Sequence, residues 1–307
     1  MCRAPLLAAF IALSLATGCA TTSSTTPGVA TSPAPFQVKR SGKGRPVLFI
    51  PGLASSGEVW DETLAHLQGE YDCHVFTLAG FAGQPAIPAP FLPTVRRALA
   101  DYIRAQGLQK PIIVAHSLGG FLALGLAADA PELVGGLFIV DGLPFLPATM
   151  DPNATPDSMR PHAEQFRTQA RARTAEQRAL ASRTYLSNDI ADPAKVDVAV
   201  RWGVDSDAET VAQAYYELVT TDLRPELSRI TAPTFVLGSW TRLKGLVPRE
   251  VVEAVFRDQF KNLPTARVEF HDTARHFIMW DDPTGFFQKL DGFLAGDASM
   301  SRMEPTR

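Results

Sequence analysis

The chain has 307 residues, 46% hydrophobic and 20% charged, which is enough to bury one large core and still carry an insertion. A formal net charge of −3 leaves no basic footprint for nucleic acid. The charged share is neither depleted as in a membrane protein nor raised as in a disordered chain, and no solenoid-period repeat or long heptad pattern is present.

At the N-terminus, Arg3 precedes an apolar run from Leu6 to Ala16. That run is shorter than the ~20 residues a membrane-spanning helix needs. It closes on Leu15-Ala16-Thr17-Gly18-Cys19, which resembles a bacterial lipoprotein signal, with Ala16 where Leu is usual. The resemblance implies that 1–18 is a signal peptide and that the Cys19 thiol carries lipid. It also implies a bacterial cell-envelope location facing periplasm or exterior, with the lipid as the one membrane contact. Residues 19–35, rich in Thr, Ser and Pro, read as a flexible tether. Removal of Cys2 and lipidation of Cys19 would leave Cys73 without a disulfide partner.

From Phe36 onward short apolar runs alternate with helical patterns. Strands are predicted at Phe36–Arg40, Arg45–Ile50, Cys73–Leu78, Pro111–Ala115, Leu137–Val140, Pro233–Leu237 and Arg267–Phe270. Continuous apolar runs of this length suit strands covered on both faces. A helix is predicted over Thr94–Gln106, opened by Pro93 and stopped by Gly107. Pro248 opens another, with Val251, Val252, Val255 and Phe256 as its apolar stripe. Asp282-Pro283 caps a last one bearing Phe286, Phe287, Leu290, Phe293 and Leu294. This order implies an α/β fold with a mostly parallel sheet flanked by helices. Between Gly142 and Arg229 the alternation stops, and Val211, Ala214, Tyr215 and Leu218 mark a helix. The expected organisation is a core of 36–142 and 230–298, a helical cap insertion at 143–229, and a disordered tail at 299–307.

The chemistry concentrates in Ile112-Ile113-Val114-Ala115-His116-Ser117-Leu118-Gly119-Gly120-Phe121, an apolar strand running into a serine and then a helix. Small residues at 115 and 119 are a steric need of so tight a turn. Downstream, Val268-Glu269-Phe270 leads through a short loop to His276. A serine hydroxyl is a poor nucleophile at neutral pH and needs an imidazole to take its proton. Together these strings resemble the α/β-hydrolase family, the first as its nucleophile elbow with Ala115 where Gly is commoner.

The resemblance implies a serine hydrolase of the esterase or lipase kind, with Ser117 as nucleophile and His276 as base. It needs no cofactor, and no metal-ligating cluster stands out. The oxyanion donors would be the backbone N–H groups of Leu118, at a helix N-terminus, and Leu53, in the Pro51-Gly52-Leu53-Ala54 loop. The family's frequent acid position, three residues past Gly238, holds Thr241. Asp141, ending the preceding strand, is the candidate triad acid, with Asp222 and Asp272 as fallbacks. The implied partner is a small-molecule ester with an apolar group. Leu143 to Pro147 with Tyr215 and Tyr216 either line its pocket or hold the cap to the core. The arginines between 160 and 183, interspersed with Glu164 and Glu176, read as a solvated helix face. Acyl transfer, C–C hydrolysis and cofactor-free peroxidase-like chemistry use the same residues. A non-catalytic ligand-binding surface lipoprotein is a further reading.

Overall fold

The computed structural model describes residues 33–296. The expected signal peptide, Cys19, most of the tether and the tail at 299–307 lie outside the described residues. The elements run β1 (Phe36–Ser41), β2 (Pro46–Ile50), α1 (Asp61–Leu67), β3 (Asp72–Leu78), α2 (Phe91–Ala105), β4 (Ile112–His116), α3 (Leu118–Asp129) and β5 (Gly136–Val140). They continue as α4 (Pro156–Ala172), α5 (Ala175–Asp189), α6 (Pro193–Asp205), α7 (Ala208–Val219), β6 (Thr234–Ser239), α8 (Arg249–Gln259), β7 (Ala266–His271), α9 (Ile278–Asp281) and α10 (Pro283–Leu294).

Seven strands form one sheet in the order β1-β3-β2-β4-β5-β6-β7, with β1 antiparallel to β3 and every other neighbouring pair parallel. Because side chains alternate along a strand, each central strand feeds two cores. Leu48, Ile50, Ile113, Ala115, Leu137, Ile139 and Val236 join the face covered by α2, α3 and α8. Val47, Phe49, Ile112, Val114, Phe138, Val140, Phe235 and Leu237 join the face covered by α10 and by Trp60 and Trp280. Covering both faces explains why these strands read as unbroken apolar runs.

Two helices depart from the sequence expectation. α2 begins at Phe91, so Pro93 lies inside its first turn rather than before it. Proline is tolerated there because first-turn N–H groups have no partner within the helix. The helix starts early because Glu217 of α7 supplies the missing acceptors. Its Oε1 accepts from Phe91 N–H at 2.9 Å and its Oε2 from Leu92 N–H at 2.6 Å. In α8, Val252 and Phe256 are buried but Val251 is exposed, so the apolar stripe is narrower than expected.

The segment between β5 and β6 forms α4 to α7 and contains no strand. Caps written into its sequence start these helices: Thr155 and Thr174 in reciprocal capping boxes, Asp192 and Asp207 as single acceptors. It is fastened to loops that leave the C-terminal ends of the strands. Gly83 N–H donates to Asp205 O at 3.1 Å and Asp207 N–H to Gly80 O at 2.7 Å. Arg275 Nη1 donates to Ser187 O and Ile190 O at 2.8 and 2.9 Å.

Phe145 is fully buried beside Ala148 and Ala154, under the Arg224 guanidinium. Tyr215 packs on Phe166, and Tyr216 lies under Arg167. These aromatics pack within the insertion, in line with the second of the two readings given to them. The arginine stretch pairs along the surface: Arg160 with Asp157, Arg167 with Glu164, Arg171 with Glu209, Arg183 with Asp197. Exposed pairs of this kind contribute about 0–1 kcal/mol each.

Glu217 is a buried polar link between insertion and core. Glu217→Ala orphans two N–H groups and is expected to cost about 2–4 kcal/mol in a urea unfolding titration. Glu217→Gln, which keeps one acceptor, should cost less than Glu217→Ala.

Candidate active site

The site is assembled where β4, β5 and β6 end. β4 and β5 pair in register up to His116 opposite Val140. The ladder then runs on: Ser117 N–H donates to Val140 O at 2.9 Å, and Asp141 N–H to Leu237 O at 2.8 Å. Both residues are turned sharply out of their strands, Ser117 with φ 53° and ψ −118° and Asp141 with φ 46°. Such conformations cost a non-glycine residue about 1–3 kcal/mol and persist only where the surroundings over-determine them. Here the surroundings are tight. A Cβ on Gly119 would lie 2.5 Å from Ile50 O and 2.6 Å from Pro51 O. The start of α3 can therefore press against the end of β2 only with glycine at that position.

His276 lies in the loop after β7. Its Nδ1 is 2.6 Å from Asp141 Oδ2, a short charge-assisted hydrogen bond. The other carboxylate oxygen, Oδ1, accepts from Ser239 N–H at 2.9 Å, so the acid is held from both sides. Burial disfavours a charged His276 ring. The hydrogen bond and charge of Asp141, joined by the charge of Asp189, outweigh that effect even though Arg242 opposes them, and the ring is raised above the usual imidazole range. With Nδ1–H committed to Asp141, Nε2 is left as the proton acceptor.

Three contacts that the sequence reading missed fix the His276 loop. His116 Nε2 donates to His276 O at 3.1 Å, and the two rings sit 4.5 Å apart. Burial, with the neighbouring His276 ring, pushes His116 well below the usual imidazole range, so it stays a neutral donor. Ser239 Oγ donates to Ala274 O at 2.7 Å, and Arg275 N–H to Asp281 Oδ2 at 2.9 Å. A histidine preceding the elbow serine and a serine closing β6 were visible signals, but only the three-dimensional pairing gives them meaning.

The remaining candidates fall as follows. Ser117 follows His116 directly, which brings it to the His276 loop, although no hydrogen bond joins its hydroxyl to His276 among the described residues. In sites of this kind that contact tightens on substrate binding. Gly52 lies so close to the elbow that a Cβ there would be 2.9 Å from His116 Nδ1 and 3.3 Å from Ser117 Cβ. Leu118 follows the serine in sequence and Leu53 follows Gly52, which packs against it, and neither backbone N–H finds an acceptor among the described residues outside the regular elements. Asp222 is engaged by Arg224, and Asp272 by Arg249, so neither fallback acid reaches His276. Thr241 opens a single 3-10 turn after β6. Cys73 is buried, its thiol pushed up to about 11 by burial, and takes no part. Among the described residues no His, Cys, Asp and Glu cluster could hold a metal ion. Chemically, the set offers a serine at a sharp strand-to-helix turn and an imidazole oriented by a carboxylate.

Comparison with known proteins agrees with this architecture. A model of the alpha/beta hydrolase family matches residues 47–289. A pimeloyl-[acyl-carrier protein] methyl ester esterase of Vibrio cholerae serotype O1 is 26% identical over 255 residues, covering 82% of this chain and 95% of the relative. Among solved structures, an esterase from Exiguobacterium antarcticum superposes with a TM-score of 0.70 at 19% identity, covering 85% of this chain and 95% of that one. An enol-lactonase from Burkholderia xenovorans gives 0.69 at 16% identity, covering 85% and 96%.

The elbow makes a steric prediction. Gly119→Val should abolish soluble, folded protein or cost more than about 3 kcal/mol, because its branched Cβ meets two backbone carbonyls that cannot retreat. A variant with the parent's melting temperature would show that the elbow is looser than described.

Proposed function

Since the chain belongs to the alpha/beta hydrolase family, we propose that it is a serine hydrolase cleaving a carboxylic ester, or a related acyl bond, through an acyl-enzyme. The observation that carries this reading is the 2.6 Å contact between His276 and Asp141 at the strand ends that also present Ser117. His276 Nε2 takes the Ser117 proton as Oγ attacks the substrate carbonyl carbon. The N–H groups of Leu118 and Leu53 stabilise the oxyanion, the first with help from the α3 dipole. Collapse of the tetrahedral intermediate expels the alcohol, which receives the proton from His276. Water, activated by the same imidazole, then releases the acid. Asp141 holds the ring tautomer and stabilises the imidazolium.

The names of the methyl ester esterase, the esterase and the enol-lactonase support an ester or lactone carbonyl as the reacting group. We propose further that a lipid on Cys19 tethers the domain to a bacterial envelope membrane. The support is the run from Arg3 to Cys19 followed by a Thr, Ser and Pro-rich stretch.

Ser117→Ala should lose labelling by fluorophosphonate probes and hydrolysis of p-nitrophenyl esters while keeping its fold. Asp141→Asn should lower kcat by about 10²- to 10⁴-fold, because the imidazole loses its tautomer lock. The base works only when neutral, and its pKa is raised. The acid limb of kcat/KM is therefore expected above the ordinary imidazole value of about 6.5, with activity falling as pH drops through it. A parent protein inert to both probes when folded favours a binding role. For the tether, radiolabelled palmitate should enter the parent and not Cys19→Ala; equal incorporation would exclude lipid at that thiol.

A further inference from the structure

We propose that Asp189, at the end of α5, is a positioning residue for this reaction: its carboxylate offsets the Arg242 guanidinium, so that the His276 ring can take up a proton. The inference rests on His276 acting as the base.

Asp189 is 0% exposed, yet neither of its carboxylate oxygens accepts a hydrogen bond. An ionised carboxylate in that state is expensive, and the cation that meets it is Arg242, whose Nη1 lies 3.3 Å from Oδ1, with the Tyr185 hydroxyl also close by. Arg242 comes from the 3-10 turn after β6, stacks over the Tyr185 ring at 5.1 Å, and is half open to solvent. Helix α5 is held in register with the His276 loop. Phe277 N–H donates to Asp189 O at 3.2 Å, and Arg275 grips the carbonyls of Ser187 and Ile190 on either side. The insertion therefore delivers a negative charge to a place fixed relative to the base.

The groups acting on the His276 ring are Asp141, Asp189, Arg242 and the neutral His116. Those acting on Asp189 are His276, Arg242, Tyr185 and Asp141. The Tyr185 hydroxyl is held protonated by burial and by Asp189. With both carboxylates present, the cluster carries one net negative charge while His276 is neutral, and none once His276 is an imidazolium. Without Asp189 the same proton uptake would leave a net positive cluster in a poorly solvated place. Charge separation in the transition state would then work against Arg242. Arg242 is retained because it makes a buried Asp189 tolerable, and Asp189 is retained because it shields the base from Arg242.

The test is a side-chain NMR titration of His276, assigned against His276→Asn, in the Ser117→Ala background of the full chain. Asp189→Asn should lower the His276 pKa by about one unit. Arg242→Gln should raise it, and the double variant should return most of the way to the parent. In the active protein, the acid limb of kcat/KM should shift down in Asp189→Asn, with plateau kcat falling roughly three- to tenfold. A residue that merely packs would alter stability and leave the titration unmoved. An unchanged His276 pKa in Asp189→Asn would therefore overturn the proposal, as would activity lost with no movement of the limb. If Asp189→Asn does not fold, Arg242→Gln decides, and a His276 pKa that fails to rise refutes the pairing. The titration needs no turnover, so the coupling of Asp189 to His276 is read separately from activity. An inactive parent overturns the esterase reading and the role of Asp189 in the reaction, whereas an unmoved titration in an active parent overturns this proposal alone.

Discussion

The site depends on a backbone ladder that runs one step beyond the regular ends of three parallel strands. Ser117 N–H reaches β5 and Asp141 N–H reaches β6, while both residues adopt positive φ values that their side chains resist. Parallel neighbours end side by side, so two residues leaving adjacent strands in the same manner point their side chains to one end of the sheet. The strain at 117 and 141 is offset by burial on both faces below them, where Ile113, Val114, Phe138 and Ile139 are fully inaccessible. A looser sheet would let those turns relax, and the hydroxyl and the carboxylate would swing out of place.

Electrostatics then sets how the imidazole behaves. A half-buried ring would ordinarily resist protonation, and the fully buried His116, a few ångströms away, does so. His276 differs because a carboxylate meets its Nδ1 at 2.6 Å. Two histidines in contact thus divide the work: one stays neutral and holds a carbonyl, the other is poised to charge. Asp141 can serve because Ser239 N–H satisfies its second oxygen from β6, leaving Oδ2 for the ring. A carboxylate with both oxygens free would be less well aimed and costlier to bury.

Most of the fold was legible in the sequence because covered parallel strands leave an unmistakable apolar imprint and the helices carry local caps. The seven strands were each located to within a residue or two, and Asp282 caps α10 as its sequence implies. The start of α2 was misplaced because its capping carboxylate, Glu217, lies 126 residues from Phe91 in sequence, and no local pattern announces it. The same limit applies at the site. Ser117, His276 and Asp141 sit in strings with recognisable local context, whereas His116, Ser239, Asp189 and Arg242 acquire roles only through partners far along the chain. Phe145, Tyr215 and Tyr216 stayed ambiguous for a different reason: aromatic residues near a cap fit a pocket or a packing seam equally well, and only their partners in three dimensions, Phe166 for Tyr215 and Arg167 for Tyr216, show the packing.

The absence of a carboxylate at Thr241 follows from the same arrangement. With Asp141 of β5 holding the His276 ring, the end of β6 steadies that carboxylate through Ser239 N–H and braces the His276 loop through Ser239 Oγ. In the turn beyond it, Arg242 reaches across to the insertion and meets Asp189. An acid rooted in that turn would have to share its few residues with this bridge. Placing the carboxylate on β5 separates two requirements, a rigid imidazole–carboxylate pair and a polar seam between core and insertion, that would otherwise compete for the same short loop.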